Sequence, residues 1–298
     1  DYVYLDGTQN EKYYVLFTTG SLEGRTFDIT ANTATTITVN QDGDTTVQAL
    51  INDAMATDLF EIRPHWTLNT VFPDGANFDK STDVLNTNGL IMVRPETLPG
   101  ENIPPTITYF YYDSATNSED GWYDANDLAA GKASDVILKR SVFYVCKNTS
   151  DDVYTVNLVG DVPLVDHKNK LRINSDFIQQ GNYISLPFPV EVTLAESGLA
   201  ESASFMKTTD VTNINGDRIL AYEDNITTYN PAASSVYVYY DSATNSEDGW
   251  YDANDLAAGK QDATAIFKPG KGYIISKQGA TEEIFQWNIE IPYTPLSE

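Results

Sequence analysis

One stretch of this chain occurs twice. Residues 111–132 read YYDSATNSEDGWYDANDLAAGK, and residues 239–260 repeat those letters without a change. The offset is 128 residues, and the likeness runs past the identical core. Residues 91–110 lie over 219–238 without a gap, and each run leads into an aromatic segment, TITYFYYD in one and SVYVYYD in the other. Downstream, VILKRSVFYVCK (136–147) lies over TAIFKPGKGYIISK (264–277), which brings Tyr144 onto Tyr273. Further on, VYTVNLVGDVPL (153–164) loosely matches IFQWNIEIPYTPL (284–296). Fixed-period self-similarity decides architecture before any local pattern does. A period near 128 is too long for a solenoid, so the chain holds two copies of one domain. A length of 298 residues accommodates both, each with its own core.

Local patterns predict a mainly-β chain. YYVLFTT (13–19) is apolar and β-prone, TFDIT (26–30) and TTITV (35–39) alternate as a hairpin about Asn32, and LFEIRP (59–64) ends at Pro64. Val47, Leu50, Ile51, Ala54 and Met55 fall at helical spacing after Asp44-Thr45, which predicts about three turns of helix. WTLNTVF (66–72) reads as one helical turn, GLIMVR (89–94) as a strand, and DHKNK (166–170) as a polar connection. NYISLPFPVEVTL (182–194) reads as a strand leading to a short helix around LAESGL. The expected architecture is two related β-sandwich- or barrel-like domains in tandem, with one or a few short helices. Residues 1–59 form an N-terminal β-hairpin region with one helix that packs on the first domain. Residues 60–165 form that domain, and 171–298 its duplicate.

Composition narrows the partners. The formal charge is −25, from 43 acids against 18 bases, so nucleic acid and anionic membrane surfaces are poor partners. No stretch approaches the roughly 20 apolar residues of a membrane span. Cys146 is the only cysteine, so no intrachain disulfide forms, and its place in the apolar run VFYVC reads as a buried, inert thiol. The chain opens on Asp1 rather than Met, which fits a mature exported protein.

The order NYISLPFPVEVTL, DRILAYED, VYVYYD, GWYD, FKPGKGYIISK resembles a β-module of bacterial secreted and surface proteins. In that module a Leu-Pro strand, a Gly-Trp hairpin and a Pro-Gly-x-Gly-aromatic strand follow one another. With YYVLFTTGSLEGRTFDITANTATTITV and FEIRPHWTLNTVFP, the chain from about residue 13 to 290 resembles an uncharacterised exported family of verrucomicrobial and related bacteria. The resemblance implies a secreted, all-β protein and brings no activity, cofactor or catalytic residue. The first copy departs from the pattern, with Arg140-Ser141-Val142-Phe143 where the second has Pro269-Gly270-Lys271-Gly272.

Two features of the repeat bear on chemistry. Asp113, Asn117, Glu119, Asp120 and Asp124, with Asp241, Asn245, Glu247, Asp248 and Asp252 in the second copy, supply oxygen donors of the kind Ca²⁺ takes. Their spacing departs from the EF-hand loop, and the competing reading is a solvated acidic hairpin loop with Asp and Asn placed for turn geometry. Trp122 and Tyr123, and Trp250 and Tyr251, read either as a sugar-stacking platform or as aromatics folded over the core. Alternation along Gly-Trp-Tyr-Asp sends one aromatic of each pair inward.

His65 and His167 are the only histidines and match no metal-ligand spacing. No G-x-S-x-G elbow or Gly-rich phosphate loop is present. An enzyme is not expected. A segment kept identical in two places fits a surface or scaffold used twice better than one converging active site. The expected role is an extracellular structural subunit of a filament, sheath or surface layer. It would associate with copies of itself by strand addition, with DYVYLDG (1–7) and IEIPYTPLSE (289–298) as donors. The competing role is a secreted module that binds glycans or a partner through the Gly-Trp hairpins.

Overall fold

A computed structural model describes residues 12–294 apart from 42–45, 54–55, 95–99, 102, 115–117, 134–135, 141–143, 148–159, 174–178, 203, 224–230, 243–245 and 280–281. The fold is mainly antiparallel β and sandwich-like, with two short α-helices among the described residues.

Strands β1 (Tyr13–Phe17), β2 (Thr26–Asn32), β3 (Ile37–Val39) and β4 (Phe60–Pro64) form one antiparallel sheet in the order β3-β2-β1-β4. Alternation in β2 turns Phe27 and Ile29 inward, onto Val15, Leu22 and Val47. Val47 comes from helix α1 (Thr46–Asp53), which is shorter over the described residues than the apolar spacing predicts.

The first module follows. It has β5 (Trp66–Thr67), α2 (Leu68–Val71), β6 (Leu90–Val93), β7 (Ile107–Tyr112), β8 (Gly121–Asp124), β9 (Ile137–Leu138) and β10 (Tyr144–Lys147). Its main sheet runs β10-β6-β7-β8, and β5 pairs with β9. The single turn of α2 is held by a reciprocal cap. Thr70 N donates to Thr67 Oγ1 at 3.2 Å, and Thr67 N donates to Thr70 Oγ1 at 2.6 Å. Cys146 lies on β10, where desolvation pushes its thiol up to about 11 and keeps it protonated.

The second module comprises β11 (His167–Ile173), β12 (Gln179–Ser185), β13 (Val192–Thr193), β14 (Arg218–Ala221), β15 (Ser235–Tyr240), β16 (Gly249–Asp252), β17 (Ile266–Phe267), β18 (Gly272–Gln278) and β19 (Glu283–Ile289). Its main sheet runs β12-β18-β14-β15-β16. The order β18-β14-β15-β16 reproduces β10-β6-β7-β8, and the β13–β17 pair reproduces β5–β9. Even the single parallel bridges recur, Ser81 to Tyr112 and Thr208 to Tyr240. The duplication seen in the letters is therefore a duplication of hydrogen-bond topology.

Two local expectations change. The polar DHKNK segment is largely strand: β11 begins at His167 and pairs along its length with β19. Two of its polar side chains are buried against each other, His167 Nε2 meeting Asn169 Oδ1 at 3.0 Å, so polarity here does not mark a solvated loop. LAESGL is a turn rather than a helix. Thr193 Oγ1 donates to Glu196 Oε2 at 2.7 Å and Ser197 Oγ to Leu194 O at 2.7 Å, which closes the chain before a second turn forms.

The chain divides into two compact units, one made of Asp1–Pro64, Pro99–Glu101 and Val162–Glu298, the other of His65–Leu98 and Asn102–Asp161. The N-terminal sheet thus shares a unit with the second module, where the sequence reading attached it to the first. Hydrogen bonds between the two account for the grouping. Lys168 N donates to Gly24 O at 3.2 Å, and Lys170 Nζ to Gln41 O at 3.3 Å. Gly24 has a φ of +77°, and a Cβ there would meet Asp166 O at 2.4 Å. Gly24→Ala is accordingly expected to cost more than about 1 kcal/mol, read as a lower denaturation midpoint, because strain and clash add.

Candidate functional site

The repeated segment builds the same hairpin twice, β7–β8 and β15–β16. In the ladders Tyr111 faces Trp122 and Tyr239 faces Trp250. Cross-strand partners share a face, so each Tyr-Trp pair points inward together. The rings meet edge to face at 5.6 Å and 5.5 Å. Trp122 also packs on Phe78 at 5.2 Å and Phe72 at 5.9 Å, and Trp250 on Phe205 at 5.4 Å. Trp122 is 0% exposed and Trp250 1%. Neither indole has a face open to a sugar; both anchor their cores.

Tyr123 and Tyr251 occupy the opposite face and are half-buried. Their hydroxyls donate to Glu119 O at 2.8 Å and Glu247 O at 2.9 Å, tying the hairpin loop back onto its own strand. Burial, then the charge of Glu119, holds the Tyr123 phenol above its ordinary pKa. Burial does the same for Tyr111 and Tyr239, reinforced by the neighbouring carboxylates. These phenols stay protonated and are not poised as bases.

Six carboxylates of the two copies act as acceptors within their own hairpins. Asp120 Oδ1 accepts from Ser114 N at 2.6 Å and Asp248 Oδ1 from Ser242 N at 2.6 Å. Asp124 Oδ1 accepts from Asn126 N at 2.9 Å, and Asp252 Oδ1 from Asn254 N at 3.0 Å. Asp127 and Asp255 cap the following 3₁₀ turns through Ala130 N and Ala258 N. Asp113 and Asp241 enter through their backbone N–H groups, which donate to Ser81 O and Thr208 O. Glu119 and Glu247 enter through the backbone carbonyls already described. Asn117 and Asn245 lie outside the described residues. Among the described residues no three of His, Cys, Asp and Glu are grouped to hold a metal ion. The turn-geometry reading accounts for four of the eight described donors proposed for Ca²⁺, namely Asp120, Asp124, Asp248 and Asp252.

His65 and His167 are both buried, each in a different unit. No described helix is long and apolar enough to cross a membrane.

One constellation escaped the sequence reading. Asp217, just before β14, and Lys277, near the end of β18, are both fully buried and bonded to each other. They are 60 residues apart, and Lys277 closes an apolar run (GYIISK) in which a terminal lysine reads as a strand end. Only the register of β14 against β18 brings them together.

No protein-family model, curated protein or solved structure matches the chain.

Proposed function

We propose that this protein is an extracellular structural subunit that assembles with copies of itself into a filament, sheath or surface layer. The observation that carries the reading is the use made of the repeated segment. Its tryptophans, capping aspartates and turn carboxylates are spent on the fold in both copies, as in a scaffold unit used twice. The charge of −25 favours a soluble subunit that joins through specific edges rather than by non-specific adhesion. Antiparallel edge strands such as β4, paired on one side only among the described residues, are the kind of surface that takes an added strand. The proposed N-terminal donor, residues 1–7, lies outside the described residues. The C-terminal donor begins in β19 at Ile289.

The glycan-binding reading loses its tryptophan platform to the core. It retains only the half-buried Tyr123 and Tyr251, whose hydroxyls are already engaged.

Electron microscopy of the purified protein, with and without residues 1–10, tests the assembly reading. Ordered polymers are expected from the full chain and a folded monomer from the truncated one. Polymers from both would sink terminal strand donation, and a monodisperse monomer from the full chain, with calcium or with chelator, would sink assembly itself.

A further inference from the structure

The β14–β18 ladder pairs Arg218 with Ser276, so the next step places Asp217 opposite Lys277 with both side chains on one face. Each side chain is 0% exposed. Lys277 Nζ contacts Asp217 Oδ2 and donates to Ser204 O at 2.5 Å. Two aromatic rings also lie over it, the Phe285 centroid 4.4 Å away and that of Phe205 5.2 Å. A backbone N–H stands behind each oxygen of the carboxylate, Gln278 N on Oδ1 at 2.7 Å and Met206 N on Oδ2 at 2.7 Å. The first module has Gly89 and Asn148 at the equivalent positions, so the constellation belongs to the second module alone.

A buried ion pair is the bland reading, and it is a costly one, because two charges are taken from water into an apolar site. Burial pushes the Asp217 carboxyl up and the Lys277 ammonium down, each towards its neutral form, while their mutual attraction works the other way. The Glu283 carboxylate also acts to keep Lys277 charged. A neutral amine held against a neutral carboxylic acid, with water excluded, is the reactant state of an amide condensation.

We propose that the folded chain joins Lys277 Nζ to Asp217 Cγ in an isopeptide bond. A proton passes from the ammonium to the carboxylate, leaving an amine and a carboxylic acid. The nitrogen lone pair then attacks Cγ, and the carbonyl electron pair moves onto the oxygen that stays. The backbone N–H behind that oxygen stabilises the developing charge. A proton moves from the nitrogen to the hydroxyl, the C–O bond breaks, and water leaves. An ammonium and a carboxylate thus become an amide and one water, with no change of oxidation state and no co-reactant. Holding the two groups in contact supplies the proximity that the reaction lacks in solution. The product fastens β14 to β18 covalently, whether or not the chain polymerises.

Intact-mass measurement of the denatured protein tests this directly. The expected mass is one water below that of the sequence, and proteolysis is expected to release a branched peptide with Lys277 joined to Asp217. A mass equal to the sequence overturns the proposal. Asp-Gly steps such as Asp120-Gly121 and Asp248-Gly249 can also lose water by cyclising, so Lys277→Arg is measured alongside. That variant keeps the charge without the reactive amine and is expected at its full sequence mass. Loss of water from both proteins, with no branched peptide, also overturns the proposal. Should the variant fail to fold, the presence or absence of the branched peptide in the wild-type protein decides.

Discussion

Lys277→Met is expected to destabilise the unit that holds it by about 3–5 kcal/mol, the cost of leaving one half of a buried charge pair without its partner. Asp217 would keep its bonds from Met206 N and Gln278 N but lose the cation that offsets its desolvation. The double substitution Asp217→Leu/Lys277→Met separates two sources of that loss. For a non-covalent pair, two apolar side chains of similar volume should restore stability almost completely, because the desolvation penalty disappears with the charges. For a covalent link, the double variant should stay about 4 kcal/mol short, by analogy with the loop-entropy loss when a cross-link closing about 60 residues is removed. Hydrogen exchange at the β14 and β18 amides is the suitable measurement, since two compact units need not unfold together. Full protection in the single variant would show that the pair contributes little to holding these strands.

Trp122→Ala and Trp250→Ala are each expected to cost about 3–5 kcal/mol in their own unit, because a buried indole is removed and the space is only partly refilled. The two losses should add, since the residues lie in different units and share no neighbour. Denaturant unfolding followed by fluorescence and by circular dichroism checks this. If both variants kept wild-type stability while losing a glycan ligand, the indoles would be a binding surface and the core assignment would fall.

Much of the fold could be read from the letters. The identity of 111–132 with 239–260 foretold the same hairpin in both modules, and alternation in Gly-Trp-Tyr-Asp correctly turned one aromatic inward and its neighbour outward. What alternation alone left open was which one. Trp122 faces inward because it lies opposite Tyr111, and Tyr111 is buried against the same core. The acidic loops were harder, because a carboxylate capping a turn and one awaiting a cation are the same residue type. The short bonds from Ser114 N to Asp120 and from Ser242 N to Asp248 give those two carboxylates a turn role, and they depend on how each loop closes.

The sequence by itself determined that there are two modules, that both are β, and that each carries the same aromatic hairpin. Short-range alternation and an exact repeat are properties of neighbouring letters. Only the tertiary structure decided that the N-terminal sheet shares a unit with the second module, that HKNKLRI is a strand, and that Asp217 meets Lys277. Each of these rests on the pairing of distant segments: Gly24 with Lys168, β11 with β19, β14 with β18. Such pairing is chosen by which backbone donors and acceptors remain unsatisfied once the local strands have formed, and no window of sequence contains both partners.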